Sequence, residues 1–277
     1  MLTAMAVFSV MDGVSKGLTQ HLHPVEVSWA RYLFNLLFML PLLLRQGGSR
    51  LLVTRRALPQ LVRGALLFAS GVLFITALRR LPLADASAIG FVAPLIVTAL
   101  SIPLLGERVE SGRWLAVLTG FAGVLLVVRP GGAGFEAVSL LPVASAGCWA
   151  LSLIVTRRLA DTELPLTTLF YTCLSGLVLS SLTVPALWHA PDSADWLLLA
   201  AAGVLYALGQ YLLLKAFLRT HASVLAPFQY SQIVWSTAIG LVWFGTLPDM
   251  QTVGGGAVII VSGLYVWRRE SRIARGA

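Results

Sequence analysis

The chain has 277 residues, of which 57% are hydrophobic and 12% charged, at a mean hydropathy of +0.84. A soluble domain carries about 25% charge, so this composition excludes a water-covered globule and leaves no polar stretch long enough for a soluble catalytic domain. The net charge of +8 is scattered over short loops between apolar runs, which is a topological signal and not a nucleic-acid surface.

At roughly 20 residues per helical crossing, the sequence places ten spans at 2–20, 24–44, 60–78, 83–105, 112–128, 138–156, 165–187, 195–218, 223–244 and 250–267. Lipid-exposed backbone must satisfy its own hydrogen bonds, so the spans are helices. Barrel strands would alternate polar and apolar residues, and these runs do not. The expected fold class is all-α: a polytopic membrane protein of ten transmembrane helices.

Span 1 reads as a retained crossing and not a signal peptide, because it lacks a basic leading region and contains Asp12 and Lys16. A charge at a helix centre costs roughly 2.5–3.5 kcal/mol on insertion scales, so ionisable groups there are functional suspects. Asp12 and Lys16 are four residues apart on one helix face. They read as a substrate-contacting ion pair, as a proton-coupling carboxylate with its neighbour, or as a self-satisfied structural pair. His21 and His23 follow in a loop with no third ligand at metal-binding spacing, so no metal site is expected.

In span 2, Ser28, Arg31 and Asn35 share a stripe. Arg31 either braces span 1 or contacts an anionic group, and Glu26 lies near the interface. Phe68, Phe91 and Trp149 fall near midspan in spans 3, 4 and 6, where an aromatic ring can stack on an aromatic or cationic solute. Pro94 and Pro103 interrupt the hydrogen-bond ladder of span 4. Small residues at Ala116, Gly120, Gly123 and Gly254–Gly256 allow close helix approach. The link between halves, 129–137, is rich in Gly and Pro and too short to separate two independent domains. Cys148 and Cys173 lie inside spans and read as small buried hydrophobes.

Span 8 offers Tyr206 and Gln210, and span 9 offers Gln229, Gln232 and Ser236 with Tyr230 beside them. Buried amides need partners, so these stripes are expected to face one interior cavity. Trp188, Trp196 and Trp267 sit at span ends as interfacial anchors.

Loop charge gives the orientation. With the N-terminus inside, 13 basic residues fall in inner loops and the tail and three, Arg79, Arg80 and Arg129, in outer loops. This predicts both termini in the cytoplasm.

The apolar pattern also repeats. Segments 77–106 and 216–245 are identical at five of 30 positions at an offset of 139, and Pro24 pairs with Pro165 at an offset of 141. Five spans per copy turn the second copy upside down, the layout of many secondary transporters. The expected units are a first repeat at 1–130 and a second at 131–277, forming one integrated membrane domain.

The run "ADASAIGFVAPLIVTALSIPLLGERVESGRWLAVLTGFAGVLLVVRP" resembles the closing part of an EamA repeat, through Pro94, Gly106-Glu107-Arg108 and the Gly120/Gly123 pair. The opening "MDGVSKGLTQHLHPVEVSWARYLF" resembles its start, with a late Lys in span 1, then Pro24 and Arg31. The chain is thereby identified as resembling the ten-span branch of the drug/metabolite transporter superfamily. The second half departs from the pattern: Thr246 stands where Glu107 does, and Thr172 where Arg31 does. The resemblance implies a ten-helix bundle, a cavity lined by spans 1, 3, 4, 6, 8 and 9, and alternating access for a small organic solute. The Asp12/Lys16 opening is also similar to the branch that takes up S-adenosylmethionine.

The sequence therefore points to a secondary transporter, in the inner membrane, of an amino acid or a nucleoside- or adenosyl-like solute, proton-coupled or exchanging. Its expected partners are the bilayer and the solute, as a monomer or homodimer, with no nucleic acid, cofactor or metal. The alternatives are a channel or non-transporting scaffold and, remotely, an intramembrane enzyme. No paired-aspartate, HExxH or nucleophile-elbow motif supports the last. The expected substrate-binding set is Asp12, Lys16, Phe68, Phe91, Trp149, Tyr206, Gln210, Gln229, Tyr230 and Gln232, with Arg31 and Glu107 structural or coupling.

Overall fold

The computed structural model describes residues 1–47, 53–105, 111–130, 136–159, 162–219, 225 and 228–276. Every regular element among them is helical: α1 (Leu2–Leu18), α2 (Pro24–Gly47), α3 (Ala57–Leu78), α4 (Leu83–Gly90), α5 (Ala93–Leu105), α6 (Ser111–Val128), α7 (Leu140–Leu159), α8 (Pro165–Thr183), α9 (Ser193–Arg219), α10 (Ser231–Phe244) and α11 (Met250–Gly276). Five stretches, including α4 and α5 taken together, are apolar and long enough to cross a membrane, and shorter apolar helices accompany them. The chain is a polytopic membrane protein.

Pro24 and Pro165 open α2 and α8, where a missing N–H costs nothing and the fixed φ suits the first turn. α10 ends on Gly245 at φ 62°, with Thr246 N–H donating to the Gly240 carbonyl at 3.0 Å. That left-handed closure needs glycine.

Span 4 is broken. Pro94 has no N–H for the Gly90 carbonyl, and its ring crowds that carbonyl. α4 stops at Gly90, Phe91 and Val92 form a turn, and α5 restarts at Ala93. Span 9 breaks at the equivalent place: Phe228 and Gln229 are helical, Tyr230 is a turn residue, and α10 begins at Ser231. Phe91 and Tyr230 are 139 positions apart. Position 233, the counterpart of Pro94, is Ile, so the second half has no proline at the matching position.

Helix packing obeys a two-fold exchange of the halves. α1 packs on α9 and α10, and α7 packs on α3, α4 and α5. α2 packs on α9 as α8 packs on α3, while α2 with α8, α6 with α11 and α4 with α10 are self-related pairs. The exchange holds residue by residue. A Cβ on Gly64 would lie 2.3 Å from Ser175 Cβ, and one on Gly203 would lie 2.4 Å from Phe34 Cβ. Gly203 is Gly64 plus 139, and Ser175 is Phe34 plus 141. Likewise, the Asn35 amide donates to Cys173 Sγ at 3.0 Å, and the related place brings Gly176 against the Tyr32 ring.

The packing defines two bundles, each drawn from both halves. One is α1, α9 and α10; the other is α7, α3 and α4–α5. We call the end of the molecule carrying the α3–α4 turn the far end. There Leu18, Val27, Ala30, Ile75, Ala77, Leu78, Leu83 and Ala86 are all fully buried in two adjacent apolar clusters.

Candidate functional site

Side chains from α1, α2, α3, α9 and α10 converge where the bundles meet. Asp12 is 4% exposed on α1, and its carboxylate accepts one hydrogen bond, from Gln232 Nε2 at 3.3 Å. Arg31, half-buried on α2, is the cation that acts on Asp12 through space, without a direct ion pair. Its guanidinium lies 4.9 Å from the Tyr206 ring centroid, a cation–π contact. It forms no hydrogen bond or ion pair among the described residues. Tyr206 stands at the centre of an aromatic group, 6.4 Å from both Phe8 and Tyr32, and Tyr32 is 6.3 Å from Phe68. Gln210 Nε2 donates to the Tyr206 hydroxyl at 3.1 Å, the i, i+4 contact that helical spacing provides.

A serine trio joins this cluster to α4. Ser87 donates to Ser236 Oγ at 2.9 Å, and Ser9 Oγ lies 3.2 Å from the same oxygen. All three are buried. The trio ties α1, α10 and α4 together one turn from Asp12 and Gln232.

The geometry places the remaining expected residues as follows. Asp12 and Lys16 do not pair. Lys16 is 7% exposed, and its ammonium donates to the carbonyl oxygens of Leu78, at 2.7 Å, and Leu81, at 2.6 Å. The carbonyls at a helix C-terminus have no partner in their own helix and carry its negative dipole end, so they attract a cation more firmly than solvent-facing spacing suggests. Trp149 is 47% exposed on α7 and joins no ring pair among the described residues. Phe91 and Tyr230 face each other at 5.1 Å, packed on the apolar cluster around Ile89 and Val92, away from the Tyr206 group. Gln229 is half-buried and precedes the span 9 break, so it does not continue the stripe of Gln232 and Ser236. Glu107 lies outside the described residues.

Sequence reasoning missed Arg63. Thr172 replaces Arg31 in the second half, which suggested that only one half supplies a cation. Arg63 of α3 fills that place: it donates to Thr156 Oγ1 at 2.6 Å, to the Thr168 carbonyl at 3.4 Å and to the Thr172 hydroxyl. Each of the two related junctions holds one guanidinium, from the second helix in one case and the third in the other. Tyr32 and Phe8 were also passed over. Their one signal is position: Tyr32 adjoins Arg31, and Phe8 lies one turn before Asp12.

The model of the EamA-like transporter family matches the chain twice, over residues 1–129 and 137–268. The chain belongs to the EamA-like transporter family. Its relatives include the S-adenosylmethionine uptake transporter of Rickettsia prowazekii, 28% identical over 98% of this chain and 92% of that protein. The riboflavin transporter of Rhizobium johnstonii is 31% identical over 99% and 92%, and the pseudopaline exporter CntI of Pseudomonas aeruginosa is 29% identical over 95% and 93%. A solved crystal structure, 23% identical, covers 98% of this chain and 96% of its own with a TM-score of 0.68, a likeness of fold. This EamA chain is thus a multi-pass membrane transporter of a small metabolite and not an enzyme.

Proposed function

We propose that the chain moves a zwitterionic metabolite bearing an amino-acid group and an aromatic or heteroaromatic portion, by alternating access. The observation that carries this reading is a buried carboxylate, Asp12, and a guanidinium, Arg31, that make no direct ion pair with each other or with another group among the described residues, with the Tyr206 ring against the guanidinium. A charge at membrane depth is costly without a partner. An ammonium group placed at Asp12 and a carboxylate placed at Arg31 would neutralise both. Phe8, Tyr32, Phe68 and Tyr206 offer faces for a ring between them. Gln210 and Gln232 supply amide groups beside those charges.

Relatives named for S-adenosylmethionine and pseudopaline support an amino-acid-containing solute. The broken helices of spans 4 and 9, meeting where the halves cross, support a carrier with a central site. The loop charge supports cytoplasmic termini, which puts the far end outside.

The test is counterflow in proteoliposomes with S-adenosylmethionine, aromatic amino acids, nucleosides and riboflavin. Saturable exchange of a zwitterion, lost in Asp12→Asn and Arg31→Ala, is expected. Unchanged exchange in both variants, or movement of uncharged solutes alone, overturns the reading.

A further inference from the structure

We propose that Arg63 is a second anion-binding group of the solute site, so that the solute carries a further anionic group at the end away from its amino-acid portion. The inference rests on the reading above and adds one feature to its solute.

Arg63 is half-buried on α3, within an apolar run long enough to cross a membrane. Among the described residues its hydrogen bonds go to three neutral oxygens: the hydroxyls of Thr156 and Thr172 and the carbonyl of Thr168. Each hydroxyl gives its single proton to its own helix. Thr156 donates to the Ser152 carbonyl at 2.7 Å, and Thr172 donates to the Thr168 carbonyl at 2.7 Å. Both oxygens therefore meet Arg63 as acceptors. They fix the guanidinium through Nε and Nη1 and leave its charge unneutralised. Nη2 has no hydrogen-bond partner among the described residues.

The groups that act on Arg63 through space are Tyr206, Cys173 and Tyr32, and none of them is a carboxylate. Arg31 acts on the same two tyrosines. One aromatic group is thus shared by two guanidinium groups, which approach it from opposite ends. Arg31 is the eighth residue of α2 counted from the far end, and Arg63 is the seventh residue of α3 counted from the opposite end. At 1.5 Å rise per residue, each lies about 10 Å inside the start of its helix. Phe68 and Tyr206 stand near the middles of α3 and α9, between the two.

The charges around the aromatic group are unequal. Arg31 and Arg63 face one carboxylate, Asp12. A zwitterion with its ammonium at Asp12 and its carboxylate at Arg31 leaves Arg63 unanswered. A charge at membrane depth is costly without a partner, and a guanidinium with free N–H groups matches an anionic oxygen. The solute that completes the site has its amino-acid group on the Asp12 and Arg31 side, its ring among the aromatic residues, and an anionic group beyond the ring.

The test uses two probes on the full chain in nanodiscs, phenylalanine and 4-carboxyphenylalanine, which differ by one carboxylate on the remote edge of the ring. Equilibrium binding at neutral pH gives the ratio of their Kd values. The parent should favour the carboxylated probe by about tenfold or more, as a charge-assisted hydrogen bond provides. Arg63→Gln should abolish the preference, and Arg63→Lys should keep part of it. A parent without preference, or a preference that survives in Arg63→Gln, overturns the proposal. Equal weakening of both probes in Arg63→Gln is a surviving preference, and it assigns Arg63 to bracing alone. If Arg63→Gln does not fold, Thr172→Val unties the guanidinium from α8 and should lower the preference several-fold, and an unchanged preference there overturns the proposal. Phenylalanine bound without preference overturns this inference alone. Binding of neither probe overturns the zwitterion reading, and this inference falls with it.

Discussion

Phe91 and Tyr230, related by the exchange of the two halves, meet each other with ring centroids 5.1 Å apart and planes inclined at 37°. A residue touching its own counterpart lies on the pseudo-two-fold axis. The axis therefore passes through the two helix breaks, and each half presents the other with an interrupted helix.

The axis pair is held from behind by Gly263. A Cβ there would lie 1.5 Å from the Tyr230 hydroxyl and 2.3 Å from its ring. Gly263→Ala is expected to destabilise the protein by about 1–3 kcal/mol through overpacking. Thermal unfolding of the purified protein should show the loss, and adding Tyr230→Ala should recover part of it. A Gly263→Ala protein as stable as the parent would show that Tyr230 does not occupy this position.

The related contacts of Gly64 and Gly203 predict paired effects. Gly203→Ala meets Phe34 Cβ and the Arg31 carbonyl, and Gly64→Ala meets Ser175 Cβ. Each should lower the unfolding temperature, with a cost of about 1–3 kcal/mol. Gly147 has nothing within 4 Å of its Cβ position, so Gly147→Ala should be neutral or stabilising by a few tenths to about 1 kcal/mol.

Arg31 over Tyr206 predicts a coupling. Tyr206→Phe keeps the ring and removes the hydroxyl that receives Gln210. Tyr206→Leu removes the ring. A double-mutant cycle on solute affinity with Arg31→Lys should give about 0.5–2 kcal/mol for Tyr206→Leu and far less for Tyr206→Phe. Equal coupling for the two would assign the effect to the hydroxyl.

Outside the membrane, Asp249 caps α11, accepting from Thr252 N–H at 2.8 Å, and it also accepts from Arg129. The Arg129 hydrogen bond, with this cap, pulls its carboxyl from 3.8 down to about 2. A depressed folded-state value means the unfolded chain binds the proton first. The contribution is therefore full above the unfolded value and is lost as pH falls from about 4 to about 2. The stability difference between the parent and Asp249→Asn, followed by chemical unfolding, should be flat above that window and shrink through it.

The crossings were legible in the sequence because lipid imposes long apolar runs. Pro24 and Pro165 marked the starts of α2 and α8 to the residue. Pro94 announced the span 4 break, although the turn falls at Phe91 and Val92, because proline disrupts the bond one turn before itself. Span 9 has Ile233 at the place equivalent to Pro94, and its break was not foreseen. The stripe rule placed Gln232 and Tyr206 in the interior but paired Asp12 with Lys16. Local spacing cannot show that carbonyls 62 and 65 residues away compete for the same ammonium. Arg63 was hidden for a related reason: its role depends on which helix of the other half stands beside it, and only the two offsets taken together reveal that.

One seam brings main chain against main chain. A Cβ on Gly123 would lie 2.8 Å from the Gly255 carbonyl oxygen, and one on Gly255 would lie 2.6 Å from that of Gly123. α6 and α11 touch there backbone to backbone, with the side chains of Val127, Val258 and Ile259 packed tightly around the contact. Such a joint has little slack. A methyl added at Gly123 or Gly255 would therefore have to push the two helices apart as whole bodies, and the shift would grow along them with distance from the contact.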